Sequence, residues 1–275
     1  MRELGVKRNR LAVDRLGTPG FLALERLGLE LADAAPVTRA ARDVKTPEEI
    51  EAFDASGAVV MEMLEAFEKQ LAPGVTEREL LATTSEVLLR RGGDFQATST
   101  VCSGPNTNPW RSAATHRAVE DGDLVWTDLD AVVFAGSFLC VSRTFVVGEP
   151  TIEQRRLHGE ALEWLRAMED FVEPGMTCAE IAETGPRVPE RFLAQRYEVM
   201  IHGLGLEEES PSVAYPGDLQ PNPDRVIEPN MVLAIELYAG EPGARDGAKL
   251  GDVVVVTEDG VRVVAPYPFS EALGG

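Results

Sequence analysis

Cysteine is scarce in this chain of 275 residues: Cys102, Cys140 and Cys178 are an odd set without a CxxC spacing. Neither a disulfide framework nor a zinc knuckle is encoded, and a reducing cytoplasm is the expected compartment. Positive charge is short as well. Asp and Glu total 46 against 26 Lys and Arg, a formal charge of −20, and so acidic a chain repels nucleic-acid phosphates and anionic lipid headgroups. No apolar run approaches the roughly 18 residues that suggest a membrane helix. The start, MRELGVKRNRLAVDRLG, is basic but lacks the apolar segment of a signal peptide. A soluble, unprocessed protein acting on a small molecule, with neither nucleic acid nor membrane as partner, is the expectation.

What the chain does have is the material of a globular protein. Apolar residues make up 44% and charged residues 26%, and the 25 Gly and 18 Pro are scattered, which excludes collagen, a coiled coil and a mostly disordered chain. Residues 1–40 read as a strand at Leu11 to Val13, a helix around Phe21 to Leu27 and a strand at Leu29 to Ala32, closed by Ala35-Pro36. A new unit opens at Thr46-Pro47-Glu48-Glu49, where an N-cap Thr, a Pro at the first helical position and a Glu three residues after the cap form a capping box. Apolar residues at helical spacing from Ile50 to Leu71 then predict a long amphipathic helix.

An internal repeat organises the rest. Pro73-Gly74-Val75-Thr76-Glu77-Arg78-Glu79-Leu80 returns as Pro174-Gly175-Met176-Thr177-Cys178-Ala179-Glu180-Ile181. Each copy has a Pro-Gly turn ending one long helix and a Thr capping box starting the next. Strand-like segments follow at Leu124 to Phe134, Ser142 to Val147 and Met231 to Tyr238, with a hairpin over Val253 to Val264 turning at Glu258-Asp259-Gly260. The fold class is therefore α+β: a pseudo-twofold pair of α/β halves around a curved, mostly antiparallel sheet.

Few residues are available for chemistry. Of three histidines, His158 lies in the charged helical stretch EQRRLHGEALEW and reads as a surface residue, and His116 lies in a polar loop. His202 differs: it ends the apolar run Val199-Met200-Ile201 and opens His202-Gly203-Leu204-Gly205, whose glycines allow close backbone approach. Asp128 and Asp130, in LVWTDLDAVVF, share one face of an apolar strand, and two adjacent carboxylates need a cation. Glu236 interrupts a strand that is otherwise wholly apolar, where an unpaired carboxylate costs several kcal/mol or takes up a proton. Each acid alone could be a structural ion pair; together with His202 they point to a site.

These residues resemble the pita-bread enzymes: creatinase, aminopeptidase P, prolidase and methionine aminopeptidase. The resemblance covers about residues 40–270. It rests on the repeat, Gly122-Asp123-Leu124-Val125 before Asp128 and Asp130, Ser142-Arg143-Thr144-Phe145 with Gly148, His202-Gly203-Leu204-Gly205, Glu228-Pro229-Asn230-Met231-Val232 before Glu236, and Pro266-Tyr267-Pro268-Phe269. Asn108-Pro109-Trp110, Asp128-Leu129-Asp130, Tyr215-Pro216 and Lys249-Leu250 are most similar to the branch containing the metal-dependent dimethylsulfoniopropionate lyase. The resemblance implies a pita-bread domain over 41–275, with 1–40 as the remnant of a truncated creatinase-type N-terminal domain. It also implies that the family's two-metal centre is degenerate, since Cys140 stands where a second aspartate is expected and Gly251 where the last, metal-bridging glutamate is expected. Trp110 stands where aminopeptidases often carry a further histidine.

Two metals are thus not expected and no cofactor is obligatory; a single divalent ion, if bound, would use Asp128, Asp130, His202 and Glu236. The expected function is that of a creatinase/Xaa-Pro peptidase-like enzyme performing C–N hydrolysis or lyase chemistry on a small cationic substrate. His202, as general acid and base, Glu236 and Cys140 are the catalytic candidates. Asp128 and Asp130, with the aromatic faces of Trp110 and Tyr215, are the substrate-binding candidates. A mononuclear metal-dependent lyase or hydrolase, and a non-catalytic binding protein, are the alternatives. A homodimer covering an exposed edge is the expected assembly.

Overall fold

The computed structural model describes residues 9–111 and 113–275, and the chain divides between Asp43 and Val44 into two compact units. In the first, β1 (Arg10–Val13) and β2 (Glu30–Asp33) pair in parallel around α1 (Thr18–Arg26), and α2 (Ala35–Asp43) follows. Ala35-Pro36, read from sequence as a stop, instead begins a helix. Proline is tolerated in a first turn, where its missing N–H has no helical partner, and Asp33 Oδ1 accepts from the Ala35 N–H at 2.8 Å.

The second unit carries the repeat. Its first half holds α3 (Pro47–Gln70), α4 (Glu77–Arg90), β3 (Phe95–Gln96), β4 (Thr100–Ser103), β5 (Leu124–Val132) and β6 (Phe138–Val146). The second half holds α5 (Ile152–Phe171), α6 (Cys178–Thr184), β7 (Ile201–Leu204), β8 (Glu208–Val213), β9 (Val232–Gly240) and β10 (Gly247–Val256), with β11 (Val261–Val263) completing a hairpin. The main sheet runs β3-β5-β6-β10-β9-β7-β8, antiparallel at every junction, with β4 on β5 and β11 on β10. The hairpins β5-β6 and β9-β10 meet at the centre, so that the sheet reads the same outward from the β6–β10 seam. This is the pita-bread arrangement.

The halves match down to single hydrogen bonds. The three expected caps, Thr46, Thr76 and Thr177, form complete capping boxes, and Thr151 forms a fourth. Gly74 and Gly175 take φ of +96° and +94°, a conformation that glycine adopts without steric cost. Their N–H groups donate to the carbonyls of Val119 and Ile227 at 2.8 Å each, and Thr76 and Thr177 make equivalent bridges to Ala118 and Val226. The symmetry is imperfect, since α4 has 14 residues and α6 only 7.

Alternation along the strands sends one set of side chains toward the helices. Phe53, Val60, Met63 and Leu64 of α3 pack with Leu129, Ala131, Leu139 and Val141. Leu157, Ala161, Leu165 and Met168 of α5 pack with Ile235, Leu237, Leu250 and Val254. His158 lies on that inward stripe of α5, four residues after buried Gln154, and is fully buried with its ring 6.4 Å from that of Phe269. The surface reading of His158 is thereby corrected: helical phase outweighs the charged composition of its neighbours. Two strands also begin earlier than the sequence suggests, β6 at Phe138 and β10 at Gly247. The second change matters for the site. Among the described residues no helix is long and apolar enough to cross a membrane.

Because Thr76 and Thr177 cap equivalent helices without shared partners, Thr76→Ala and Thr177→Ala should each lower unfolding stability by about 1 kcal/mol. The double variant should equal the sum of the two within about 0.5 kcal/mol in urea titrations.

Candidate active site

The face of the sheet opposite the helices carries the polar residues. Strand register places them in a row: Asp128 on β5 faces Ser142 on β6, Ser142 faces Gly251 on β10, and Gly251 faces Glu236 on β9. Asp130 faces Cys140 in the adjacent pair. His202, on β7, reaches in from beside β9, where its register partner is Ala234. Asp128, Asp130, Cys140, His202 and Glu236 thus converge although they come from four strands, and each is at most 6% exposed. Period-2 alternation explains how: residues two apart share a face, and antiparallel register aligns them across strands.

One further residue completes the cluster. Lys249, two residues before Gly251 on β10, projects onto the same face and is fully buried. Its Nζ pairs directly with Glu236 Oε2 and stands 3.9 Å from Asp128 Oδ2. The Tyr197 ring covers the ammonium with its centroid 3.9 Å away. The carboxyls therefore do not lack a counter-ion, as the sequence suggested; the chain supplies one. Alternation alone would have revealed Lys249 had β10 been read from Gly247.

The remaining contacts set the charge states. Ser142 Oγ donates to Asp128 Oδ1 at 2.6 Å, and Thr98 Oγ1 donates to Asp130 Oδ2 at 2.7 Å. Burial, then the nearby Asp128 charge, pushes Asp130 up to about 7. Burial also raises Asp128, against the opposing pull of Lys249. Near neutral pH this pair carries less than its full two negative charges. For Glu236, burial acts upward but is outweighed by Lys249 and then His202, which hold it at about 2. For His202, burial acts downward but is outweighed by Glu236, which holds it up at about 8.

Cys140 donates its thiol hydrogen toward Asp128 Oδ1 at 3.6 Å and toward Glu236 Oε2 at 3.9 Å. Burial and the surrounding carboxyls raise the thiol well above its ordinary range. A thiol so placed is a donor and not a thiolate nucleophile. Trp110 and Tyr215 have their faces engaged: Trp110 packs on Tyr197 at 5.5 Å, and the Arg196 guanidinium lies 5.0 Å from the centroid of Tyr215. Tyr197, not singled out from sequence, is the aromatic that meets a cation here; it lies in an irregular segment without periodicity to mark it.

Within the cluster, Asp130 Oδ1, His202 Nε2 and Glu236 Oε1 make no hydrogen bond to a described residue, nor do Trp110 Nε1 and Tyr215 OH nearby. His202 Nε2 and Glu236 Oε1 lie 3.3 Å apart and form an ion pair when the imidazole is protonated, and His202 Nδ1 is 3.2 Å from the Gly203 carbonyl. Two donor triads have spacings that could hold an ion, Cys140-His202-Glu236 and Asp128-Asp130-Cys140. The presence of Lys249 argues against it. A divalent ion on Glu236 about 4 Å from this ammonium would meet a repulsion of about 8 kcal/mol at an effective dielectric of about 20. Gly251 offers no ligand, and the residues as arranged do not fit a divalent ion.

The sequence profile of Metallopeptidase family M24 matches residues 51–258. The chain belongs to that family. It is 32% identical over 274 residues to the dimethylsulfoniopropionate lyase DddP of Roseovarius nubinhibens, covering 97% of this chain and 61% of the lyase. It is 30% identical over 247 residues to the probable dipeptidase PepE of Mycobacterium bovis, covering 89% of this chain and 64% of that protein. The chain therefore spans less than two thirds of the length of these relatives. Among solved structures, the prolidase from Pyrococcus furiosus superposes with a TM-score of 0.81 at 26% identity, covering 93% of this chain and 75% of that one. The Xaa-Pro dipeptidase from Bacillus anthracis does so with 0.84 at 25% identity, covering 98% and 75%. The fold and family expected from the sequence are those found.

The shift at His202 predicts a pH dependence of stability. Its folded value lies above the unfolded 6.5, so the stabilisation, about 2 kcal/mol, is fully present below pH 6.5 and is lost as pH rises through about 8. Unfolding free energies measured from pH 6 to 9 should fall in the wild type relative to His202→Gln; parallel curves would contradict the His202–Glu236 coupling.

Proposed function

We propose that the chain is an enzyme of the M24 fold that acts on a small cationic molecule by proton transfer through His202, without a two-metal centre. The observation that carries this reading is the buried His202 Nε2 set 3.3 Å from Glu236 Oε1 within a cluster of carboxyls. An imidazole held near 8 accepts and returns protons close to neutral pH, as a general base or acid requires. With Nδ1 set against the Gly203 carbonyl, Nε2 is the nitrogen left for the substrate or an attacking water.

The substrate's charge follows from what the site leaves uncompensated. Lys249 and Glu236 neutralise one another, while Asp128 and Asp130 retain negative charge and Asp130 Oδ1 has no donor. A substituted ammonium, guanidinium or sulfonium group set against Asp130 would meet both needs. Abstraction of a proton from such a substrate with loss of its onium group is lyase chemistry, and activation of water against its C–N bond is hydrolysis. The likeness to a protein named as a dimethylsulfoniopropionate lyase supports the former, and that to dipeptidases the latter. His202 serves either. A homodimer in the cytoplasm remains the assembly and compartment that we propose.

Turnover should be assayed on a panel of small onium compounds and dipeptides. His202→Ala should lower kcat by roughly 10²- to 10⁴-fold, and full activity in that variant would place the chemistry elsewhere. Asp130→Asn should raise KM for cations while leaving kcat and the fold nearly unchanged, because Oδ1 bonds to nothing in the free protein and Oδ2 still accepts from Thr98. An unchanged KM would remove Asp130 from substrate binding.

A further inference from the structure

We propose that Lys249 is the resident cation of this site, a tethered ammonium that, with Cys140 and Gly251 offering no carboxylate beside it, excludes divalent ions from the carboxyl cluster. The inference deepens the metal-independent reading of the same pocket and rests on it. Four features carry it.

The first is where the ammonium lies. It pairs with Glu236, stands 3.9 Å from Asp128 and is wholly buried, so it faces acids from both hairpins at once. The second is how firmly it is held. Thr144 Oγ1 donates to the Lys249 carbonyl at 2.8 Å and accepts from the Lys249 N–H at 3.0 Å, fixing the point from which the side chain leaves β10. The third is what covers it. The Tyr197 face, packed on Trp110, lies with its centroid 3.9 Å from the ammonium and stabilises a cation there. The fourth is the closure of the sheet at Gly251. A Cβ at this position would lie 3.0 Å from Glu236 Cβ and 3.3 Å from Ser142 Oγ. A side chain at 251 would press on Glu236 and Ser142, and the glycine leaves both undisturbed.

An ammonium differs from a metal in ways that set substrate choice. It brings one positive charge, donates hydrogen bonds and has no open coordination position. It neutralises Glu236 and leaves only the remaining charge of the Asp128–Asp130 pair for a ligand, which favours monocations over dications. Its place is permanent, so neither loading nor loss of an ion can regulate the site.

Isothermal titration of manganese and of zinc into chelator-treated protein tests this directly, alongside Lys249→Met and Lys249→Arg. The wild type and Lys249→Arg should show no saturable binding. Lys249→Met should take one ion per chain at least roughly tenfold more tightly, and added manganese should raise its melting temperature more than that of the wild type. Because Met leaves Glu236 buried without a partner, Lys249→Met/Glu236→Gln is the second variant; it retains the Asp128-Asp130-Cys140 triad and should likewise gain an ion. Stoichiometric, tight binding to the wild type would overturn the proposal, as would a natively folded Lys249→Met protein that gains no affinity. These titrations do not depend on turnover. Metal exclusion without activity on any onium compound would reject the catalytic reading and leave Lys249 as the resident cation, whereas tight metal binding with activity would do the reverse.

Discussion

Three carboxyl groups buried on one face of a sheet impose the condition that the rest of this molecule meets. Asp128, Asp130 and Glu236 are almost wholly withdrawn from water, and isolated carboxylates in such surroundings either take up protons or require cations. Lys249 answers for Glu236, and hydrogen bonds from Ser142 and Thr98, together with raised proton affinities, answer for the two aspartates. A buried ion pair is not by itself a gain in stability, because desolvating both partners offsets much of their attraction. Its retention amid an apolar sheet is better understood as the support of a site than as the support of the fold.

The fold holds that site from behind. Arg143, one residue after Ser142, points to the opposite face and donates to the carbonyls of Ser142 and Gly251 at 2.9 Å each. It also pairs with Asp252 at 2.7 Å. One guanidinium thus bonds to both central strands at the register pair Ser142–Gly251, where β6 and β10 meet. The alignment of Asp128, Ser142, Gly251 and Glu236 depends on that register, because a slip by one residue would send every one of these side chains to the helix face. Site and core are therefore coupled through the seam between the two halves.

Much of this was legible in the sequence, and the reason is the same in each case: local rules with short reach. Capping boxes at Thr46, Thr76 and Thr177 are written within four residues, and the Pro-Gly repeat betrays the internal symmetry. Asp128, Asp130, His202 and Glu236 stood out because charge interrupts apolar alternation. Lys249 escaped because Gly247, Ala248 and Gly251 have little strand preference, which hid the start of β10; its neighbours are held extended by cross-strand pairing with β9 along the whole run from Gly247 to Val255. His158 was misjudged because its charged neighbours concealed its helical phase. Tyr197 and the engagement of Trp110 depend on tertiary contact between distant segments, for which no local pattern exists.

The likeness to metallopeptidases and the departure from them are consequences of one geometry. The sheet aligns Asp128, Asp130, Cys140, His202 and Glu236 on one face, with a glycine at 251 and Lys249 paired to Glu236. A metal can polarise a carbonyl and generate hydroxide; an ammonium fixed against a carboxylate can only donate hydrogen bonds and lend charge. In the function proposed above, proton transfer falls to the His202 imidazole, held near 8 beside Glu236, with the Asp130 carboxyl near 7 in the same cluster. Lys249 holds Glu236 ionised beside that imidazole, and Glu236 is what keeps His202 basic despite its burial. Lys249 thus acts on His202 through the carboxylate they share.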